Sequence, residues 1–209
     1  MRPSVGGAVL SDVVVLILPD ASLAIRVDPR SDAAPYQINA ILGFPVFQAL
    51  GVVTFTRDGR FLAGSTLPAT APASRIFMDG LAPLVECEVH GKPRLFAFDT
   101  GADSSMLFVP CYREFKDDLV GVSPSKTISA GAGGARTRTS YRLDEARLGV
   151  AGTEVQLHHV PVFPEPSGTS LDHAYGNLGR DLVAGFESFT MDFATFHFSL
   201  GPRSSRPRD

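Results

Sequence analysis

The sequence predicts a strand-dominated fold built from two related units, of which only the second is complete. Three observations carry this. Short segments alternate apolar and polar residues and are rich in Val, Ile and Phe; stretches of the two halves match at a constant offset; and a Pro/Ala/Thr-rich stretch divides the chain. Fifteen phenylalanines and no tryptophan suit packed strands. At 209 residues the chain has room for one large domain or two small ones.

The first unit begins with "VVVLILP", Val13 to Pro19. Asp12 precedes it, no small-residue cleavage site follows, and the run is too short to span a membrane. It reads as a buried strand, and the chain as given shows no export signal. "NAILGFPVFQALGVVTFTRDGRFLAG", Asn39 to Gly64, then reads as a Leu-Gly turn, a short helix with apolar positions four apart, and two strands joined at "RDGR".

The same pattern returns in Tyr175 to Gly201. At an offset of 136 positions, Leu42-Gly43 falls on Leu178-Gly179, Val46 on Leu182, Leu50 on Phe186, Val53 on Phe189 and Phe55 on Met191. Further upstream, at an offset of 147, Leu10, Val13, Val15 and Leu16 fall on Leu157, Val160, Val162 and Phe163. A longer loop around "DPRSDAAPY" in the first unit accounts for the change. The predicted organisation is an incomplete unit over 1–64, a linker over 65–74, a complete unit over 75–200, and a Ser/Pro/Arg tail over 201–209 expected to be disordered.

The complete unit opens with two strands, "LAPLVECEV" and "RLFAFD", joined by His90-Gly91-Lys92. The second strand ends on an acid, Asp99, followed by Thr100 and Gly101. Thr100 can hydrogen-bond inward, and Gly101 lets backbone pass close beneath a carboxylate. Asp-Thr-Gly alone is a weak motif, and an ordinary turn aspartate would look the same. Two further features strengthen it: the glycine-rich "ISAGAGGARTRTS", Ile128 to Ser140, which suits either a mobile hairpin or a plain loop, and the Leu-Gly turn "NLGRDL". Asp181 is expected near a helix start and Asp192 in a strand, both structural. Phe96, Phe98, Phe186, Phe189 and Phe193 are assigned to the core.

"FDTGADSS", "AGAGGAR" and "GNLGRDLVAGFESFTMDF", in this order, resemble the catalytic loop, flap and supporting turn of the retropepsin-like aspartic proteases, including the two-lobed bacterial aspartyl proteases. The resemblance covers about Phe77 to Leu200, and the first 64 residues look like the back half of another such lobe. It implies an all-β fold: a closed β-barrel lobe with one short helix per lobe, plus a partial second lobe. It also implies an aspartic endopeptidase acting on polypeptide without metal or cofactor. Asp99, Thr100 and Gly101 would be catalytic; Ala102, Asp103, Gly131, Gly133 and Gly134 would line the substrate.

Such chemistry needs two carboxylates sharing one proton. No other acid of the chain is followed by Thr-Gly or Ser-Gly, and the 147 offset would place the equivalent of Asp99 some 48 positions before Met1. The partner is therefore expected either from a first-lobe segment outside these residues or from a homodimer through the 75–200 lobe. A non-catalytic peptide-binding or assembly module is the alternative. The resemblance also leans towards a periplasmic or exported protein.

Composition narrows the classes further. A net charge of −3 offers no electrostatic footprint for nucleic acid. His158 and His159 would point to opposite faces of a strand, which argues against a metal site there. Cys87 and Cys111 either pair in an oxidising compartment or stay as buried thiols.

Overall fold

A computed structural model describes residues 4–11, 13–25, 34–64, 72–131 and 134–205. The first unit contributes α1 (Phe44–Leu50), β1 (Val52–Thr56) and β2 (Phe61–Ala63). The second begins with β3 (Ser74–Asp79), β4 (Ala82–Val89), β5 (Lys92–Phe98), β6 (Met106–Leu107) and α2 (Val109–Phe115). It continues through β7 (Ser125–Gly131), β8 (Gly134–Val150), β9 (Thr153–Val162) and β10 (Gly176–Leu178), and ends with β11 (Ser188–Asp192) and β12 (His197–Leu200).

These strands form one sheet in the order β7-β8-β9-β6-β10-β5-β4-β3-β12-β11-β1-β2. An extra contact between β8 and β4, at Gly149 and Glu88, closes β8-β9-β6-β10-β5-β4 into a ring of six strands. The all-β expectation is met. Inward positions fill the ring: Phe96, Leu178, Val85, Val150, Val160 and Val162 are buried, each stabilising the fold by about 1.5–3 kcal/mol relative to exposure. The five phenylalanines assigned to the core are all buried.

The two units meet through equivalent strands. β1 pairs antiparallel with β11, with Thr54 opposite Thr190, Val53 opposite Met191 and Phe55 opposite Phe189. Thr54 and Thr190 are related by the 136 offset, and their hydroxyls hydrogen-bond at 2.8 Å. A local twofold axis therefore passes through this pair. Phe55 stacks on Phe189 with centroids 4.9 Å apart.

Several expectations are corrected. Val13–Pro19 forms no strand and is largely exposed, Leu16 at 72% and Ile17 at 88%. Its matched residues Val160, Val162 and Phe163 are buried because β9 lies between β8 and β6, whereas among the described residues no strand pairs with 13–19. The short helix expected after Leu178-Gly179 is a single 3-10 turn, Arg180–Val183. Gly185 stands where α1 has Ala49, at a cost of about 1 kcal/mol to a helix, and Asp181 replaces Pro45, which pre-sets the first turn of α1. The second unit's helix is α2 instead. The tail is attached further than expected: Arg203 bridges to Phe186, its guanidinium lies over that ring, and it donates to the Glu154 carbonyl. Residues 206–209 and most of the 65–74 linker lie outside the described residues.

Glu114 ties α2 to β5 and to the residue just before β10, accepting hydrogen bonds from the Arg94 guanidinium and the Tyr175 hydroxyl. These two bonds, Tyr175 first, hold its carboxyl below the usual carboxylate range. A depressed folded-state pKa contributes stability above the unfolded-state value, and that contribution is lost as pH falls through the folded value. Glu114→Gln should therefore flatten the loss of stability on acidification below about pH 4.5, read by urea denaturation across pH. Cys87 and Cys111 are free and buried, and burial pushes the Cys111 thiol up to about 12 and Cys87 higher still. Neither should react with a thiol-selective reagent at pH 8 until the protein is unfolded.

Candidate active site

β5 brings its buried run Phe96-Ala97-Phe98 to an abrupt end, and the next residue, Asp99, is exposed. Its amide donates to the Leu178 carbonyl at 2.9 Å, and its own carbonyl accepts from Ala102 at 3.1 Å, so the chain turns at once. The Gly101 amide donates to Asp99 Oδ1 at 2.8 Å. A Cβ on Gly101 would lie 3.1 Å from that oxygen, tight enough that the carboxylate would have to move. The loop thus presents one fixed carboxylate to solvent. Thr100 is half-buried, and among the described residues its hydroxyl has no hydrogen-bond partner, contrary to the inward bond expected of it. It stands between the cleft beside Asp99 and a second hollow lined by Phe55 and Phe189.

The loop is clamped from behind by the Leu-Gly turn. The buried Ser105 donates its backbone amide to Asp181 Oδ2 at 2.8 Å and its hydroxyl to Asp181 Oδ1 at 2.6 Å. The same hydroxyl accepts from the Gly179 amide at 3.0 Å, and Arg180 donates its amide to the Ala102 carbonyl at 2.8 Å. Gly179 presses on the loop so closely that a Cβ would meet Ser104 C at 2.7 Å and the Ala102 oxygen at 2.8 Å. Asp181 opens the 3-10 turn, and Asp192 accepts from Ala194 and Thr195 to close the β11–β12 turn. Both serve structure, as expected. Asp103 pairs with Arg180 on the outside of the loop and does not line the cleft.

Asp99 opens on a cleft of about 560 Å³. The second unit supplies Pro83, Phe98, Met106 and Asn177 to its walls; the first supplies Leu42, Gly43, Phe44 and Phe47. Asp99 is the one acid among the described residues that line it. The glycine-rich segment is a β-hairpin with Gly131 opposite Gly134; Gly133 lies outside the described residues. The hairpin reaches the cleft through Ser129, Arg136 and Arg138 rather than through Gly131 and Gly134. The glycines of this segment are its sequence signal, and nothing in the sequence sets the two arginines apart. Among the described residues, no group of three or more His, Cys, Asp or Glu stands close enough to hold a metal ion.

The two Leu-Gly turns differ in one respect. Leu178 is fully buried and Gly179 lies against the Asp99 loop, whereas Leu42 is 52% exposed and a Cβ on Gly43 would meet only Pro45, at 3.6 Å. Among the described residues, nothing packs on the first unit's Leu-Gly turn as the Asp99 loop packs on the second's.

Gly179→Ala should destabilise the protein by about 1–3 kcal/mol or more, because backbone rather than a flexible side chain would have to yield. Gly43→Ala should cost under about 1 kcal/mol. Thermal or urea unfolding of the two variants checks the asymmetry directly.

No family model matches the chain, and no curated protein does. Among solved structures, it is similar to a retropepsin-like aspartic protease from Rickettsia conorii, with 15% sequence identity over 72% of this chain and 89% of that one, at a TM-score of 0.41.

Proposed function

We propose that this chain carries one half of the active site of an aspartic endopeptidase, with Asp99 as one catalytic carboxylate. The observation that carries this reading is the Asp99 loop itself: a fixed, exposed carboxylate at the end of a buried strand, clamped from behind and opening on a cleft with a β-hairpin along its wall. In this chemistry two carboxylates share one proton. The ionised member takes a proton from water as the oxygen attacks the peptide carbonyl, and the protonated member donates to the carbonyl oxygen. Collapse of the tetrahedral intermediate, with a proton delivered to nitrogen, breaks the C–N bond and releases acid and amine.

The second carboxylate comes from polypeptide other than residues 1–209. Its seat is the Leu42-Gly43 turn, which matches Leu178-Gly179 by sequence and lines the same cleft. Supply by a second copy through the 75–200 lobe is less favoured by the strand order. The edge of β11 through which such a lobe would pair with its copy is occupied by β1, and a symmetric Asp99–Asp99 pair would have to displace it.

Asp99→Asn should abolish cleavage of a denatured protein substrate by the complete enzyme, by about 10³-fold or more, with unchanged circular dichroism. The wild-type rate should be bell-shaped in pH, because both the doubly ionised and the doubly protonated pair are inactive. Full cleavage by Asp99→Asn would sink the proposal. A second reading, a non-catalytic peptide-binding module, is favoured by Asp99 being the one acid among the described lining residues. It predicts no cleavage by the wild type and peptide binding that survives Asp99→Asn.

A further inference from the structure

The cleft beside Asp99 is electrostatically one-sided. Its floor is apolar, and its charged lining residues among those described are Asp99, Arg136 and Arg138. The two arginines lie two residues apart on β8, so they share one face of the hairpin. Arg138 is held in place: its guanidinium lies 4.0 Å over the buried Phe163 ring, and Nη2 donates to the Glu165 carbonyl at 2.5 Å. Arg136 reaches the Ser167 carbonyl at 3.4 Å. Both anchors are neutral carbonyls, and neither guanidinium forms an ion pair among the described residues.

The acids that act on Arg138 do not cancel this charge. Asp172 attracts Arg138 but is committed elsewhere, accepting the amides of Ser167, Gly168 and Thr169 and the Ser167 hydroxyl. Glu165 also attracts Arg138, yet its side chain is exposed and it is its backbone carbonyl that holds the guanidinium. Burial pushes the Arg138 pKa below its ordinary value, and the neighbouring Arg136 acts in the same direction. Arg138 stays charged, part of its water is already removed, and most of its five N–H donors remain unused by the protein. A half-dry, pre-positioned guanidinium with a second cation beside it is built to receive a carboxylate.

We infer that Arg136 and Arg138 make this wall of the cleft a pocket for an acidic side chain, so that the preferred polypeptide carries Glu or Asp next to the bond held at Asp99. The inference rests on the proposed function only in taking an extended polypeptide as the occupant of the cleft. Its recognition is charge-assisted and partly desolvated, so it survives moderate salt better than a surface ion pair would.

The test separates binding from cleavage. The Asp99→Asn protein is titrated with fluorescein-labelled octapeptides of Ala and Leu, with a single Glu scanned through all eight positions, and with the matching Gln series. One Glu position should bind about ten- to a hundredfold more tightly than its Gln counterpart. Arg138→Met should remove that preference, Arg138→Lys should keep part of it, and Arg136→Glu should turn it towards a Lys-containing peptide. Arg136 is exposed, so its variant gives a readout even if Arg138→Met fails to fold. Equal binding of the Glu and Gln series, no binding of either, or a preference that persists in the Arg136→Glu variant would overturn the inference. Cleavage by the complete enzyme with no charge preference would overturn it while leaving the endopeptidase reading intact. Charge-selective binding with no cleavage by the complete enzyme would do the reverse.

Discussion

The pairing of Thr54 with Thr190 fixes everything that matters for the site. Two strands related by the repeat meet antiparallel about their equivalent residues, and their hydroxyls satisfy each other at 2.8 Å. That single register places the first unit against the second about a local twofold axis. It follows that the first unit's Leu42-Gly43 turn lines the cleft onto which the second unit's Asp99 opens. A slip of one residue would turn every side chain of β1 to the other face and unstack Phe55 from Phe189. The position of the cleft is thus a consequence of strand register.

Within the second unit, precision at Asp99 comes from close packing rather than from many contacts on the carboxylate. Gly179 approaches Ser104 and Ala102 at distances no Cβ could occupy, and Asp181 draws Ser105 in through two bonds. The ring of strands depends on the same region. β6 and β10 are only two and three residues long, yet they join β9 to β5 and complete the ring of strands. The loop between Phe98 and Met106 is therefore held at both ends by sheet and in the middle by the turn behind it.

Much of this was legible in the sequence. The 136 offset carries Val52–Thr56 onto Ser188–Asp192 and Phe61 onto His197, which are the observed strand limits. Asp99 at the end of an apolar strand, Gly101 beneath it and Leu178-Gly179 behind it were also readable, because local steric needs demand those residue types. What failed was whatever depends on a neighbour. Val13–Pro19 has the composition of a buried strand but, among the described residues, no strand beside it. The turn Gly6-Gly7 sits where Ala151-Gly152 sits, an offset of 145 rather than 147, a slip that apolar matches alone do not reveal. β6 and β10 are too short for periodicity to register. Arg136 and Arg138 look solvated until the hairpin is seen lying against Phe163 and the Glu165–Ser167 backbone.

The contrast between the two Leu-Gly turns bears on the chemistry as well as on the fold. A lone carboxylate in water is a weak base with nothing beside it to supply a proton, and hydrolysis of an amide needs both services within one site. In the second unit, burial of Leu178 and the contact of Gly179 are achieved by the loop that carries Asp99. In the first unit the matching Leu42 is half exposed among the described residues: covering it would stabilise an arriving loop by about 1–2 kcal/mol, and the space over Gly43 is open to backbone. The position that would gain most from being covered is also one that lines the cleft shared with Asp99. On the proposed reading, packing and catalysis therefore make the same demand, a second acid-bearing loop on Leu42-Gly43, and the arginine wall would select the polypeptide lying between the two.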